Sequence, residues 1–106
     1  MLQSSVRDAI EDPGNVAFMS AVTVWEVAIK VAAGKLKAPD LLDAARRTGL
    51  EELVVRGVHG VRAAELPRIH GDPFDRMLVA QAIEEGLTIV TSDHAIRRYP
   101  VATLRA

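Results

Sequence analysis

Residues 72–91, DPFDRMLVAQAIEEGLTIVT, decide the fold because they predict a helix that leads directly into a buried strand. Asp72 fits a helix N-cap and Pro73 the first helical position, and both are typical of a helix start. The predicted helix covers residues 72–85, and the apolar run LTIVT at residues 87–91 predicts a central strand. A helix paired with a strand in this way is the unit from which α/β folds are built.

Helical and strand patterns alternate along the rest of the chain, which contains no internal repeat, linker or low-complexity tract. Further helices are predicted at residues 4–11, 23–33, 40–48 and 59–66, with a helical turn at 95–98. Further strands are predicted at residues 16–22, 53–55 and 101–104. The order αβααβααβαβ predicts a single α/β domain over residues 1–106, with a mostly parallel sheet.

The composition excludes several classes of protein. With 49% hydrophobic and 25% charged residues, the chain resembles a folded domain rather than a disordered one. The absence of cysteine excludes disulfides, thiolate zinc sites and a cysteine nucleophile. No apolar run approaches the ~18 residues of a membrane span and no secretory signal is recognised, so a cytoplasmic chain is expected. Because 13 basic residues balance 14 acidic ones, contact with nucleic acid would need a local patch or a metal.

Three acidic residues occupy related positions in the predicted elements. Glu26 lies in the first turn of the helix after the strand at 16–22, Asp93 directly follows LTIVT, and Asp75 lies in the first turn of the helix before it. Because ligands gather at the carboxyl ends of parallel strands, Glu26 and Asp93 should reach the same edge. Clustered carboxylates suit Mg²⁺ or Mn²⁺, and such a metal activates water and stabilises charge on a phosphodiester.

Each acid also has a purely structural interpretation. Thr23 and Glu26 fit a capping box, Glu26 could pair with Lys30 one turn on, and Asp93 could cap the turn HAIRR. Asp75 fits an ordinary acid in the first turn, but it shares a helical face with apolar residues, namely Leu78, Val79 and Ala82. A carboxylate on a core face is costly unless it is paired or bound to a cation, which favours a functional role for Asp75.

Two stretches carry a family resemblance. Residues 20–39, SAVTVWEVAIKVAAGKLKAP, and residues 66–93, LPRIHGDPFDRMLVAQAIEEGLTIVTSD, resemble motifs of the PIN-domain ribonucleases, specifically the VapC-type toxins of toxin–antitoxin pairs. The resemblance implies a three-layer α/β/α fold and Mg²⁺-dependent endonucleolytic cleavage of RNA, with Glu26, Asp75 and Asp93 as catalytic metal ligands. It also implies an inhibitory antitoxin and a homodimer, with helices in residues 23–48 as contact surfaces. It assigns no substrate-binding residue.

The chain departs from the family at its start. The family begins with a strand of the type LLDT whose aspartate is a metal ligand, whereas Asp8 and Asp12 here lie in helix and turn contexts. We therefore expect the central first strand to be missing and this form to be weakly active or inactive. A start codon assigned too far downstream, a trimmed chain and a decayed gene copy are the open explanations.

Two other functions are weighed against the ribonuclease. One is a catalytically dead remnant that binds an antitoxin-like peptide or its own copy. The other is a flavodoxin- or receiver-like domain, with Asp93 as the candidate phospho-acceptor.

Several polar and aromatic residues are expected to have ordinary roles. The three histidines are expected at the surface or in loops, and Trp25 in the core on an apolar face with Ala28, Ile29, Ala32 and Leu36. Solvated ion pairing is favoured over phosphate contact for Arg76 and Lys30. Ser92 is a turn serine or a partner of a metal-bound water, and Arg97–Arg98 is a small basic spot.

Overall fold

The computed structural model describes residues 4–69 and 71–106, so the expectation for His70 lies outside the described residues. These described residues form five helices and four short strands in the predicted order, with a 3₁₀ turn at Ile96–Arg98 before the last strand. The helices are α1 (Ser4–Glu11), α2 (Ala21–Ala32), α3 (Leu41–Thr48), α4 (Gly57–Glu65) and α5 (Pro73–Glu85). The strands are β1 (Phe18–Ser20), β2 (Glu51–Leu53), β3 (Ile89–Thr91) and β4 (Thr103–Arg105). The predicted α/β class is confirmed.

Within residues 4–69 and 71–106, the strands form two parallel pairs. β1 pairs with β2, with Met19 opposite Glu52, and β3 pairs with β4, with Val90 opposite Leu104. Each strand of the described residues therefore has one neighbour, and its other edge carries no ladder partner. The parallel direction was predicted from the alternation of helices and strands.

The start of α2 differs from the prediction. The strand predicted to run to residue 22 ends at Ser20, because the Ser20 hydroxyl accepts the N–H of Val22 at 3.1 Å and begins the helix there. The predicted capping box of Thr23 and Glu26 is therefore wrong. Glu26 lies in the second turn of α2 instead of the first.

The chain divides into two compact units. The first unit comprises the described residues up to Asn15 together with Arg56–Ala106, and the second unit is Val16–Val55. The core of the first unit is built from α4, α5 and the segments after β3, and its buried members are Leu66, Val79, Ala80, Ile96 and Tyr99. In the second unit the buried side chains are Ser20, Val22 and Ala45. Within the described residues, no helix is long and apolar enough to cross a membrane.

The apolar face of α2 is regular, as predicted, but it lies on the surface. Trp25 is 62% exposed and Ile29 is 44% exposed, so the prediction that Trp25 lies in the core is wrong. Within its unit α2 packs against β1 and buries Val22, and this small unit encloses few side chains. The exposed stripe of Trp25, Ala28, Ile29 and Ala32 is called the α2 stripe below.

His59 is buried, so its predicted surface or loop position is wrong. It stands at the third residue of α4, where its Nδ1 accepts the backbone N–H of Arg56 at 2.9 Å. The proton therefore sits on Nε2, which donates to Glu85 Oε1 at 3.0 Å. Arg56 Nη1 donates to the same oxygen at 3.0 Å. These hydrogen bonds, first from His59 and then from Arg56, lower the pKa of Glu85 below its ordinary value of 4.5.

Arg76 joins the end of α4 to the start of α5. Its guanidinium donates to the carbonyl oxygens of Ala63 at 2.8 Å, Leu66 at 3.1 Å and Pro67 at 2.9 Å. A longer contact of 3.4 Å reaches the Tyr99 hydroxyl. The predicted solvated ion pair of Arg76 is therefore wrong, because its protons are donated to backbone carbonyl groups at the end of α4 and in the loop that follows it.

We expect Arg76→Lys to lower the free energy of unfolding by about 2 kcal/mol, because an ammonium cannot span carbonyls that a planar guanidinium reaches together. Urea unfolding measures the loss. Arg7→Lys, on the exposed surface of α1, is the matched control and should stay within about 0.5 kcal/mol of the parent. Equal stability of Arg76→Lys and the parent would contradict the structural role.

Glu85 makes the stability of the first unit depend on pH. Because its pKa is lowered on folding, the stability that its carboxylate contributes is present above the ordinary value of 4.5 and is lost as pH falls through the lower folded value. Glu85→Gln should therefore differ most from the parent at neutral pH and approach it in acid. Glu65→Gln, at an exposed position of α4, is the control, and a Glu85→Gln deficit that did not change with pH would refute the assignment.

Candidate acidic site

Asp75 is a half-buried carboxylate in the first turn of α5. The turn is already capped by Asp72, whose Oδ1 accepts the N–H groups of Phe74 at 2.9 Å and Asp75 at 3.2 Å. Pro73 occupies the first helical position, as predicted. Because Asp72 performs the capping, the side chain of Asp75 is not required for it. Helical spacing puts Asp75 on the same face as Val79, which is fully buried.

Asp93 is exposed and lies two residues after the end of β3. Its Oδ1 accepts the N–H of Ala95 at 2.7 Å, and its own N–H donates to Thr91 Oγ1 at 3.0 Å. The predicted alternative, that Asp93 caps the turn HAIRR, is confirmed by the first of these bonds. Oδ2 of Asp93 makes no hydrogen bond to the described residues, so one oxygen of a fixed carboxylate is open to a ligand.

Glu26 is partly exposed on α2, with its Oε2 3.4 Å from Lys30 Nζ. The predicted pairing of Glu26 with Lys30 one turn on is therefore confirmed. Such a half-exposed pair contributes about 0.3–0.5 kcal/mol and leaves the carboxylate available for other contacts. Glu26 belongs to the second unit, whereas Asp75 and Asp93 belong to the first, and the convergence of the three acids stays a prediction.

The acids have the donor chemistry of a magnesium site. Over residues 4–69 and 71–106, no group of three or more histidine, aspartate or glutamate side chains is arranged to hold a metal ion. Mg²⁺, however, is usually bound through one or two carboxylates, with waters and substrate phosphates as its other ligands. Asp75 and Asp93 belong to one unit, and each supplies carboxylate oxygens, the type of donor that Mg²⁺ requires.

The other polar residues named from the sequence divide into exposed and structural groups. Ser92, His94, Arg97 and Arg98 are exposed around the 3₁₀ turn. His59 and Arg76 hold the helices of the first unit. Sequence reasoning missed both roles. The spacing of His59 three residues after Arg56 could have indicated the first, whereas the carbonyls bound by Arg76 lie on another element and leave no signal in the sequence.

Comparison with known proteins places the chain in a family. A family model described as PIN domain matches residues 2–102, a stretch that contains all three acids. A search of curated proteins and a search of solved structures each gave no significant match. PIN domains are typically nucleases that depend on divalent metal ions such as Mg²⁺. Nearly the whole length of the chain is covered by the match, and the chain belongs to the PIN domain family.

Proposed function

We propose that this chain is a metal-dependent endoribonuclease of the VapC-like toxin type, acting in the cytoplasm under the control of an antitoxin protein. The observation that carries the proposal is the half-buried carboxylate of Asp75, at a helix start that Asp72 already caps. Carboxylate oxygens are the ligands that Mg²⁺ and Mn²⁺ prefer in proteins, so a carboxylate held at this position is suited to bind a divalent cation. The PIN domain match over residues 2–102 supports the reaction class.

The proposed catalytic and metal-binding residues are Glu26, Asp75 and Asp93. A bound Mg²⁺ or Mn²⁺ would activate water and stabilise charge on the phosphodiester. The protein's own part is positioning: Asp72 fixes the backbone at Asp75, and the hydrogen bonds of Asp93 to Thr91 and Ala95 fix its carboxylate. Lys30 restrains Glu26 through their ion pair.

A further strand, with an additional aspartate, belongs to this proposal. Support comes from the strands of the described residues, each of which pairs on one edge alone. Parallel strands normally lie inside larger sheets, and two-stranded sheets are marginal by themselves. The proposal treats residues 1–106 as part of one PIN-like domain, in which a further strand that ends in aspartate would complete the acidic site.

The alternative is a catalytically inactive module that binds an antitoxin or a second copy. The exposed α2 stripe favours it, because Trp25 and Ile29 present apolar surface with no charge between them on that face. This alternative requires no metal. The same stripe serves as the proposed homodimer or antitoxin surface of an active enzyme, so the response to metal separates the two functions.

Calorimetric titration with Mn²⁺ tests the metal site on the full chain. We expect binding that Asp75→Asn weakens at least tenfold, because the variant removes a carboxylate ligand but keeps the shape of the side chain. Asp72→Asn is the matched control, since asparagine caps helices as well as aspartate does, and its effect should be small. Metal binding that is unchanged in Asp75→Asn would refute the assignment.

An extended chain tests the reaction. Adding an N-terminal strand that ends in aspartate should produce RNA cleavage that depends on Mg²⁺, measured with a labelled RNA by gel electrophoresis. Asp75→Asn in the extended chain should abolish cleavage, whereas Asp72→Asn should retain it. Cleavage that persists in the Asp75→Asn protein would remove Asp75 from the catalytic group.

The fluorescence of Trp25, the single tryptophan, tests the α2 stripe as an interface. At low protein concentration we expect the red-shifted emission of an exposed indole, which acrylamide quenches readily. Association through the stripe should shift the emission to the blue as concentration rises, and Ile29→Glu should prevent that shift. A concentration-dependent dimer with unchanged emission would place the interface elsewhere.

A further inference from the structure

A cleft of about 720 Å³ opens in the first unit between the end of α4 and the start of α5. Small residues of α4 and the following loop form one side, namely Ala63, Ala64 and Gly71. Pro73 and Met77 of α5 form an apolar side, and the guanidinium groups of Arg68 and Arg76 supply its charge. The size is that of a pocket for a small ligand or one unit of a polymer.

The two arginines differ in what they can do. Arg76 is fixed by its bonds to the carbonyls of Ala63, Leu66 and Pro67, and no carboxylate of the described residues forms an ion pair with it. Arg68 is exposed and has no hydrogen bond or ion pair to the described residues. The cleft therefore combines a fixed positive charge with a second guanidinium whose donors are free for a ligand. None of the described lining residues is acidic.

These features select an anion that is joined to a flat apolar group. A guanidinium presents paired donors that match the oxygens of a phosphate. Pro73 and Met77 offer an apolar wall for a base or ribose, and the absence of Cβ atoms at Gly71 leaves room beside it. A nucleotide unit has both parts.

The cleft and Asp75 lie on different faces of α5. With 3.6 residues per turn, Asp75 is about 150° around the helix from the mean direction of Pro73, Arg76 and Met77. The cleft is therefore distinct from the acidic site, although one helix carries both. We infer that the cleft is a nucleotide-phosphate subsite that holds single-stranded RNA through Arg68, away from the proposed cleavage point. This inference rests on the proposed ribonuclease function for its ligand.

An acidic peptide is the other anionic ligand to consider. A peptide normally needs an exposed strand edge or a long apolar groove to bind through its backbone or several side chains. The described lining of the cleft comes from two helices and the loop between them, with no strand edge. Its single free guanidinium and short apolar wall suit one nucleotide better than an extended peptide.

The test is binding of a labelled oligouridine of about ten nucleotides, measured by fluorescence anisotropy in EDTA so that no metal-dependent cleavage occurs. Arg68→Ala should weaken binding about three- to tenfold, and Arg68→Glu more strongly. The plot of log affinity against log salt concentration should be less steep by about 0.7 in Arg68→Ala, because this variant loses one phosphate contact on a single strand. Arg7→Ala and Arg7→Glu, on the exposed surface of α1, make the same charge changes as controls.

Adenosine monophosphate, added as a competitor, tests whether the ligand is a nucleotide. It should displace the RNA from the parent chain but not from Arg68→Glu. Equal effects of the Arg68 and Arg7 variants would overturn the subsite, as would a polyglutamate peptide that competes as well as the nucleotide does. Circular dichroism checks that the variants remain folded, and Arg68 is exposed, so its replacement should not disturb the core.

Failure of the subsite can be distinguished from failure of the proposed nuclease. Binding is measured in EDTA, without the metal, so it reports on Arg68 and not on the proposed metal ligands. Arg68-dependent binding without any cleavage in the extended chain would support the subsite and refute the nuclease. If Asp75→Asn abolishes cleavage but RNA binding does not depend on Arg68, the nuclease is supported and the subsite is refuted.

Discussion

The hydrogen bonds of Arg76 to the end of α4 are the interaction on which the first unit depends. They bind backbone carbonyls at the end of α4 and in the following loop, and they fix the start of α5 against that loop. Asp72 then caps α5, which sets the direction of Asp75 on one face and of Pro73 and Met77 on the other. Both the acidic site and the cleft follow from this junction.

The acids are held by short-range hydrogen bonds that organise the backbone around them. Asp93 uses one oxygen for its own turn and leaves the other open, and Glu26 forms a weak ion pair that a stronger cation could replace. Structural and functional interpretations of these residues are therefore compatible. A carboxylate can cap a turn through one oxygen and bind a metal through the other, so confirmation of the cap at Asp93 does not exclude the proposed ligand role.

The second unit buries few side chains and leaves large apolar ones exposed. It encloses Ser20, Val22 and Ala45 while Trp25 and Ile29 remain accessible, and its two strands form a single pair. Hydrophobic stabilisation grows with the apolar area removed from water, so these side chains contribute little to the unit as it stands. A partner that covered the α2 stripe would remove Trp25 and Ile29 from water and so add to this stabilisation.

Local sequence patterns are sufficient to predict the α/β class, the order of the elements, the cap at Asp72 and the pairing of Glu26 with Lys30. All of these depend on residues within a few positions of one another, and local propensity and spacing report such contacts directly. Tertiary packing, by contrast, leaves Trp25 exposed, buries His59 against Glu85 and directs Arg76 to a carbonyl of α4. Their environments are made by segments distant in the chain. An apolar stripe shows which residues share a face, whereas the elements that pack in space decide whether that face is covered.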